Sequence, residues 1–386
     1  MTALTAITGA RIFDGDLWHE NSVLLIEDGK VAAIVPPQDV PAGTRTVPMD
    51  GLSLVPGFID LQVNGGGGVL LNERPDLEGI RTICAAHARF GTTGLLPTLI
   101  TDNRTVTSAT IAAGLEAQRA AVPGFLGLHL EGPHLSRARK GAHDPALIRP
   151  MEQADLDRTI EARKGLVALL MTLAPENATN DQIAALRAAG VTVSLGHSDC
   201  DYATAGLAVE AGASMMTHLF NAMSQLGNRE PGMVGAALDL GHLNAGLIAD
   251  GFHVHPASIR TALTAKRGPG RIFLVTDAMS TIGTDMTSFF LNGREIFRED
   301  GRLTLADGTL AGADIDMASC IRYMRDTVGI DLEEALRMAS LYPAEAIGMT
   351  GRKGRLTHGH DADFAVIDEG VNVVSTWIGG TPVFAA

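Results

Sequence analysis

Residues 125–133 read FLGLHLEGP, and that stretch decides the fold. Apolar residues dominate it, a Gly-Pro pair stops it, and one carboxylate, Glu131, stands where it ends. A short apolar run bounded by Gly or Pro reads as a strand buried on both faces, as in a parallel sheet. A polar side chain at the end of such a strand lies where a barrel enzyme keeps its chemistry. The construction recurs three times. His197 closes VTVSLGHS, His218 follows SMMT in SMMTHLFNAM, and Asp277 closes IFLVTDAMS.

Working outward, eight such runs follow one another: FIDLQVNG from Phe58, TGLLPTLI from Thr93, FLGLHLEG from Phe125, VALLMTLAPE from Val167, VTVSLGHS from Val191, SMMTHLF from Ser214, LNAGLIADGFHV from Leu243 and IFLVTDAM from Ile272. Between most of them lie Ala-rich segments of helical period, among them IRTICAAHARFG, DQIAALRAAG, ATAGLAVEAG and PASIRTALTAK. Each meets Gly or a basic residue near its end, and the Pro of the last stands where a helix start tolerates it. Strand–helix alternation repeated eight times predicts a (β/α)8 barrel of the TIM type. A doubly wound sheet is the alternative, but GGGG at Gly65–Gly68 lacks the spacing of a dinucleotide turn and reads as a mobile rim loop.

The two ends have a different character. ITGARIFDG, SVLLIEDGKVAAIVP and RTVPMDGLSLVPG at the start, and DADFAVIDEGVNVVSTWIGGTPVF at the finish, are short β runs broken by turns. Neither piece can bury a core alone. The expectation is one small β-sandwich built from residues 1–55 and 356–386, around a barrel of residues 56–355. FFLNGREIF and GRLTLADGTLAG read as a β-hairpin insertion after the eighth strand, with helical text from Met317 to Met349.

With 30 Lys and Arg against 44 Asp and Glu, the net charge of −14 argues against nucleic acid or an anionic membrane as partner. Cys84, Cys200 and Cys320 are odd in number and form no CxxC, which fits a reducing cytoplasm. MTALTAITGARIF lacks the features of a signal peptide, and no apolar stretch approaches the ~20 residues of a membrane span. A cytoplasmic location is expected.

Two imidazoles and one carboxylate make a Zn²⁺-type ligand set with open positions, here Glu131, His197 and His218. A carboxylate outside that set, Asp277, can move protons between water and leaving group. One His at a strand end is usually an ordinary satisfied side chain. The joint pattern of Glu, His, His and Asp on four strand ends is what points to a hydrolytic centre. His129 shares a face with Glu131 by the period of two and reads as a core histidine; His134 receives no role.

These residues also carry a family resemblance. PGFIDLQVNGGGG, GTTGLLPTLI, LHLEGPHLS, KGAHDP, TLAPE, LGHSDC, THLFNAM, LIADGFHV, LVTDAMS, TLAG and SLYPAEAIG run in order from Pro56 to Gly348. The chain resembles the N-acetylglucosamine-6-phosphate deacetylases of the amidohydrolase superfamily over nearly its whole length. The resemblance implies removal of acetate from N-acetyl-D-glucosamine 6-phosphate. It implies phosphate contacts from Arg229, Asn221 and Ala222, and contact of His143, beside Ala142, with the acetamido carbonyl. His253 would meet sugar hydroxyls, and Leu310, Ala311 and Gly312 would close over the sugar. Asp277 and His143 would be catalytic. A homodimer is implied, with Arg229 and His253 able to act across its interface.

One departure matters. Many superfamily members hold a second metal with His-x-His at the end of strand one, where this chain has Gln62-Val63-Asn64. Amides are weak ligands for Zn²⁺. A single divalent ion is expected, Zn²⁺ with Fe²⁺ as the other candidate, and Gln62 and Asn64 behind it. Cyclic-amide hydrolases and amino-acid deacylases usually want that His pair and a Lys after strand four, where this chain reads TLAPE. A non-catalytic relative would be expected to lose metal ligands, and a phosphosugar-binding protein would not release acetate. The nearest alternative is the same reaction on the N-acetylgalactosamine epimer.

Overall fold

The computed structural model describes residues 4–386. At its centre, eight parallel strands follow chain order: β1 Phe58–Val63, β2 Thr92–Ile100, β3 Gly127–Glu131, β4 Ala168–Leu173, β5 Thr192–Leu195, β6 Met215–Met216, β7 Asn244–Ile248 and β8 Ile272–Val275. Each of the eight apolar runs is one of these strands. The strand order has no reversal, which excludes the doubly wound sheet.

The barrel closes just beyond the end of β8. The Asp277 N–H donates to the Gln62 carbonyl at 3.0 Å and the Asn64 N–H to the Ala278 carbonyl at 2.8 Å. Below them, the Thr276 hydroxyl donates to Asp60 at 2.5 Å. Candidate site residues therefore complete the barrel themselves.

Helices alternate with the strands: α1 Leu77–Ala88, α2 Arg104–Arg119, α3 Gln153–Gly165, α4 Asn180–Ala188, α5 Tyr202–Ala211, α6 Gly232–Asp239 and α7 Pro256–Ala265. Asp76, Asn103, Thr179 and Asp201 cap four of them by accepting first-turn N–H groups. Pro256 opens α7, where its missing N–H costs nothing.

The insertion after β8 is larger than the expected hairpin. It is a four-stranded antiparallel meander: β9 Ser288–Leu291, β10 Arg294–Glu299, β11 Arg302–Thr304 and β12 Leu310–Ala313. Asn292-Gly293 and Asp300-Gly301 both have positive φ at the two turn positions, as two-residue hairpin turns require. Leu291, Ile296, Leu303 and Ala311 pack onto Leu70, Ile100 and Met279, so the sheet lies over the mouth of the barrel. Three α-helices follow, α8 Met317–Tyr323, α9 Leu332–Ala339 and α10 Leu341–Ala346, with a π-helical turn Met324–Val328 continuing α8.

The chain ends form two sheets. One takes four strands from the N-terminal part, Thr5–Thr8, Val23–Glu27, Lys30–Val35 and Arg45–Pro48. The other pairs Arg11–Phe13, Trp18–His19 and Ser53–Pro56 with Phe364–Ile367, Val373–Ile378 and Thr381–Ala385. Ile7 and Leu24 of the first share one apolar cluster with Leu54, Phe364 and Trp377 of the second. The expected GGGG loop needs correction. Gly65–Gly66 pairs antiparallel with Val69–Leu70 as a hairpin, with both glycines buried. A Cβ at Gly65 would stand 2.3 Å from the Val69 carbonyl oxygen, so close backbone approach explains the glycine there.

Candidate active site

Glu131 is the last residue of β3, while His197, His218 and Asp277 each lie two residues beyond β5, β6 and β8. The last three have positive φ, at 49°, 29° and 52°. Such backbone costs a non-glycine residue about 1–3 kcal/mol and concentrates at functional sites. Here it turns three side chains off the strand direction and over the barrel axis. Glu131, His197 and His218 are buried, and Asp277 is half-buried.

Glu131 Oε1 lies 3.2 Å from both His197 Nε2 and His218 Nε2, which are 3.0 Å from each other. His197 Nδ1 is 2.8 Å from the Arg139 carbonyl, which only accepts; the ring proton therefore sits on Nδ1 and leaves the Nε2 lone pair facing the cavity. Burial pushes the Glu131 carboxyl up, but the two imidazoles outweigh it and hold it well below the usual range. His218 is raised: burial opposes its charge, and Glu131 more than offsets that. His218 Nδ1 is buried without a partner among the described residues. A carboxylate and two imidazoles facing one point are a donor set suited to a divalent cation.

Asp277 stands next to this group. Its Oδ1 accepts from Asn64 Nδ2 at 2.7 Å and Gln62 Nε2 at 3.1 Å, and the same Gln62 nitrogen is 3.1 Å from Glu131 Oε1. Burial, then the charge of Glu131, raises Asp277 to about 6; His218 and Asn64 pull the other way. That places a carboxyl near the value a general base and acid needs.

His143 also comes within reach, its ligand atom lying with those of Glu131 and His197 inside 4.8 Å. Its Nδ1 faces the Thr101 backbone N–H at 3.3 Å, which can only donate. Nδ1 is thus the acceptor and Nε2 carries the proton. Burial, then His197, lowers His143 to about 3, so the ring is a neutral N–H donor. That tautomer suits a carbonyl oxygen better than a cation.

A cavity of about 250 Å³ is walled by these groups together with Asn64, Ala142, Asn221, Ala222, His253, Leu310, Ala311 and Gly312. His253 Nδ1 is 2.6 Å from Asp250, which also accepts the His253 backbone N–H, and His253 lines the cavity of its own chain. Arg229 is the exception among the expected contacts. It is exposed and lies outside this cavity. His129 lies in the barrel interior, its Nε2 2.7 Å from Thr172 Oγ1, and His134 meets the Arg149 carbonyl away from the cavity. Glu176 of TLAPE accepts from Ser198 and Asp199, holding the loop after His197. The sequence reading passed over Asp60, a buried carboxyl two residues before Gln62; a charge inside an apolar run was the available signal. Thr101 and Arg294 gave no signal.

Residues 53–383 match the Amidohydrolase family. N-acetylgalactosamine-6-phosphate deacetylase of Shewanella sp. (strain ANA-3) is 45 % identical over 334 residues, 86 % of this chain and 84 % of that protein. N-acetylglucosamine-6-phosphate deacetylase of Haemophilus influenzae is 36 % identical, covering 92 % of this chain and 93 % of its own. The crystal structure of N-acetylglucosamine-6-phosphate deacetylase from Pasteurella multocida superposes with a TM-score of 0.95 at 35 % identity, covering 99 % of this chain and 100 % of that one. The chain belongs to the amidohydrolase family. Within it, the similarity runs to deacetylases of 6-phosphorylated N-acetyl amino sugars.

Proposed function

We propose that this enzyme hydrolyses the acetamide of N-acetyl-D-glucosamine 6-phosphate to acetate and D-glucosamine 6-phosphate. The observation that carries this reading is the convergence of Glu131, His197, His218 and Asp277 in one cavity. Relatives named for the reaction support it over nearly the whole chain.

Glu131, His197 and His218 would hold one divalent ion, Zn²⁺ in preference to Fe²⁺. Such an ion supplies Lewis acidity toward water and the amide carbonyl. Asp277 takes a proton from the attacking water and returns it to the departing amine. The Nε2–H of His143 donates to the carbonyl oxygen as negative charge develops there. Gln62 and Asn64 stand where a second metal's ligands would be, and their amide nitrogens donate to Asp277 instead. That favours one ion. Asn221, Ala222 and His253 line the cavity for the sugar phosphate, with Leu310, Ala311 and Gly312 over the ring. Arg229 is exposed outside the cavity of its own chain, so we propose that it meets the phosphate from the second subunit of a homodimer. The three cysteines are free and buried, which supports a cytoplasmic site of action.

The 45 % identical relative gives the N-acetylgalactosamine epimer a specific claim. Acetate release from the two 6-phosphorylated epimers, with metal counted on the same sample, tests both readings. Higher kcat/KM on the glucosamine epimer is expected. Preference for the galactosamine epimer would replace the first reading with the second, and no release from either would remove both.

A further inference from the structure

We propose that Arg294 is a positioning residue for His143: from the sheet over the barrel mouth it holds the segment that aims the His143 N–H into the cavity. This inference rests on the deacetylase reading of that site.

The Asn292-Gly293 turn puts Leu291 opposite Arg294 across the hairpin of β9 and β10. Leu291 lines the cavity, while Arg294 Nη2 donates to the Ala142 carbonyl. Ala142 adjoins His143 and packs against the cluster that contains Leu291 and Ala311. The segment around it does double service. The Arg139 carbonyl sets the proton of His197, the Lys140 carbonyl accepts the His143 backbone N–H at 3.0 Å, and Gly141 takes φ +54° beside the His197 ring. Thr101 holds His143 from below through Nδ1. Arg294 holds the preceding peptide from above, with a charge-assisted bond.

The sheet's own attachment is separate. Arg298 bonds Asp314 at 2.7 Å and the Thr284 carbonyl at 2.8 Å, and the apolar cluster packs beneath. Arg139 is held separately by Asp199 at 2.7 Å, so removing the Arg294 guanidinium should loosen residues 141–143 without detaching the sheet or the Arg139 contact to His197.

The test compares Arg294→Met, which keeps an apolar stem, with Arg294→Lys, which keeps a charge and a donor. Arg294→Met should lower kcat about 10- to 100-fold, the range expected when a transition-state donor is misplaced. KM and metal content should stay near wild type, and Arg294→Lys should recover part of kcat. Amide hydrogen exchange across residues 141–143 should quicken in Arg294→Met. In a His143→Ala background, Arg294→Met should cost almost nothing more. Unchanged exchange and kcat, or losses that simply add in the double variant, would overturn the proposal. Exchange needs no substrate: should the wild type release no acetate, the deacetylase reading fails and exchange still decides whether Arg294 holds the segment.

Discussion

Asn64 Nδ2 lies 2.7 Å from Asp277 Oδ1, across the gap where β8 meets β1. The contact joins barrel closure to the carboxyl proposed to move protons. Asn64 can only donate through that nitrogen, so it stabilises the carboxylate and opposes the burial that raises Asp277 to about 6. The proposed mechanism needs the carboxylate, so kcat/KM should fall as pH drops through its pKa. Asn64→Ala removes a stabilising donor and should move that acid limb to higher pH. A pH–rate profile whose acid limb stays in place would assign the limb to another group.

Asp277→Asn should retain metal and substrate binding while losing about 10²- to 10⁴-fold in turnover, since the proposed mechanism gives one residue both proton transfers. Steady-state kinetics and equilibrium binding of the substrate check the two halves. Turnover above roughly a tenth of wild type would move the role elsewhere.

Protein purified without added metal should hold about one divalent ion per chain, as expected for three protein ligands with no second His pair. Elemental analysis reads the number. A value near two, with both ions needed for activity, would mean that Gln62 and Asn64 are ligands.

Arg229 lies outside its own cavity, so its phosphate role should appear only between subunits. Arg229→Ala should lose roughly 30-fold or more in kcat/KM for the phosphorylated sugar, with little change on the unphosphorylated one. Refolding it together with Asp277→Asn should restore activity, because a hybrid dimer owns one complete site. Equal losses on both sugars, or no recovery on mixing, would leave phosphate recognition to another residue.

Asp60 is fully buried and accepts from Thr276 and Gln62, yet burial pushes it from 3.8 up to about 7. Between those values the native state keeps a proton that the unfolded chain has lost. Stability from this group is complete below about pH 4 and drains away as pH rises towards 7. Asp60→Asn should flatten that slope, worth a few kcal/mol, in urea unfolding of the metal-free protein at pH 5 and 8. An equal slope in the variant would place the linkage on another group.

The barrel was legible because burial on both faces leaves a strand almost no choice of residue. All eight runs, including the two-residue β6 strand Met215–Met216, could be read from apolar stretches ended by Gly, Pro or a polar side chain. Glu131, His197, His218 and Asp277 were legible for the same reason, as polar groups where such runs stop. The GGGG hairpin was misread because composition shows a glycine's freedom but not the Val69 carbonyl that needs the space. The sequence by itself thus determined the architecture and the chemical groups at the strand ends. Only the tertiary structure decided how they meet: the positive φ that turns His197, His218 and Asp277 inward, the Arg139 and Thr101 contacts that choose the ring protons, and the place of Arg229 outside the cavity. Those depend on distances between segments far apart in the chain, and local periodicity carries no information about them.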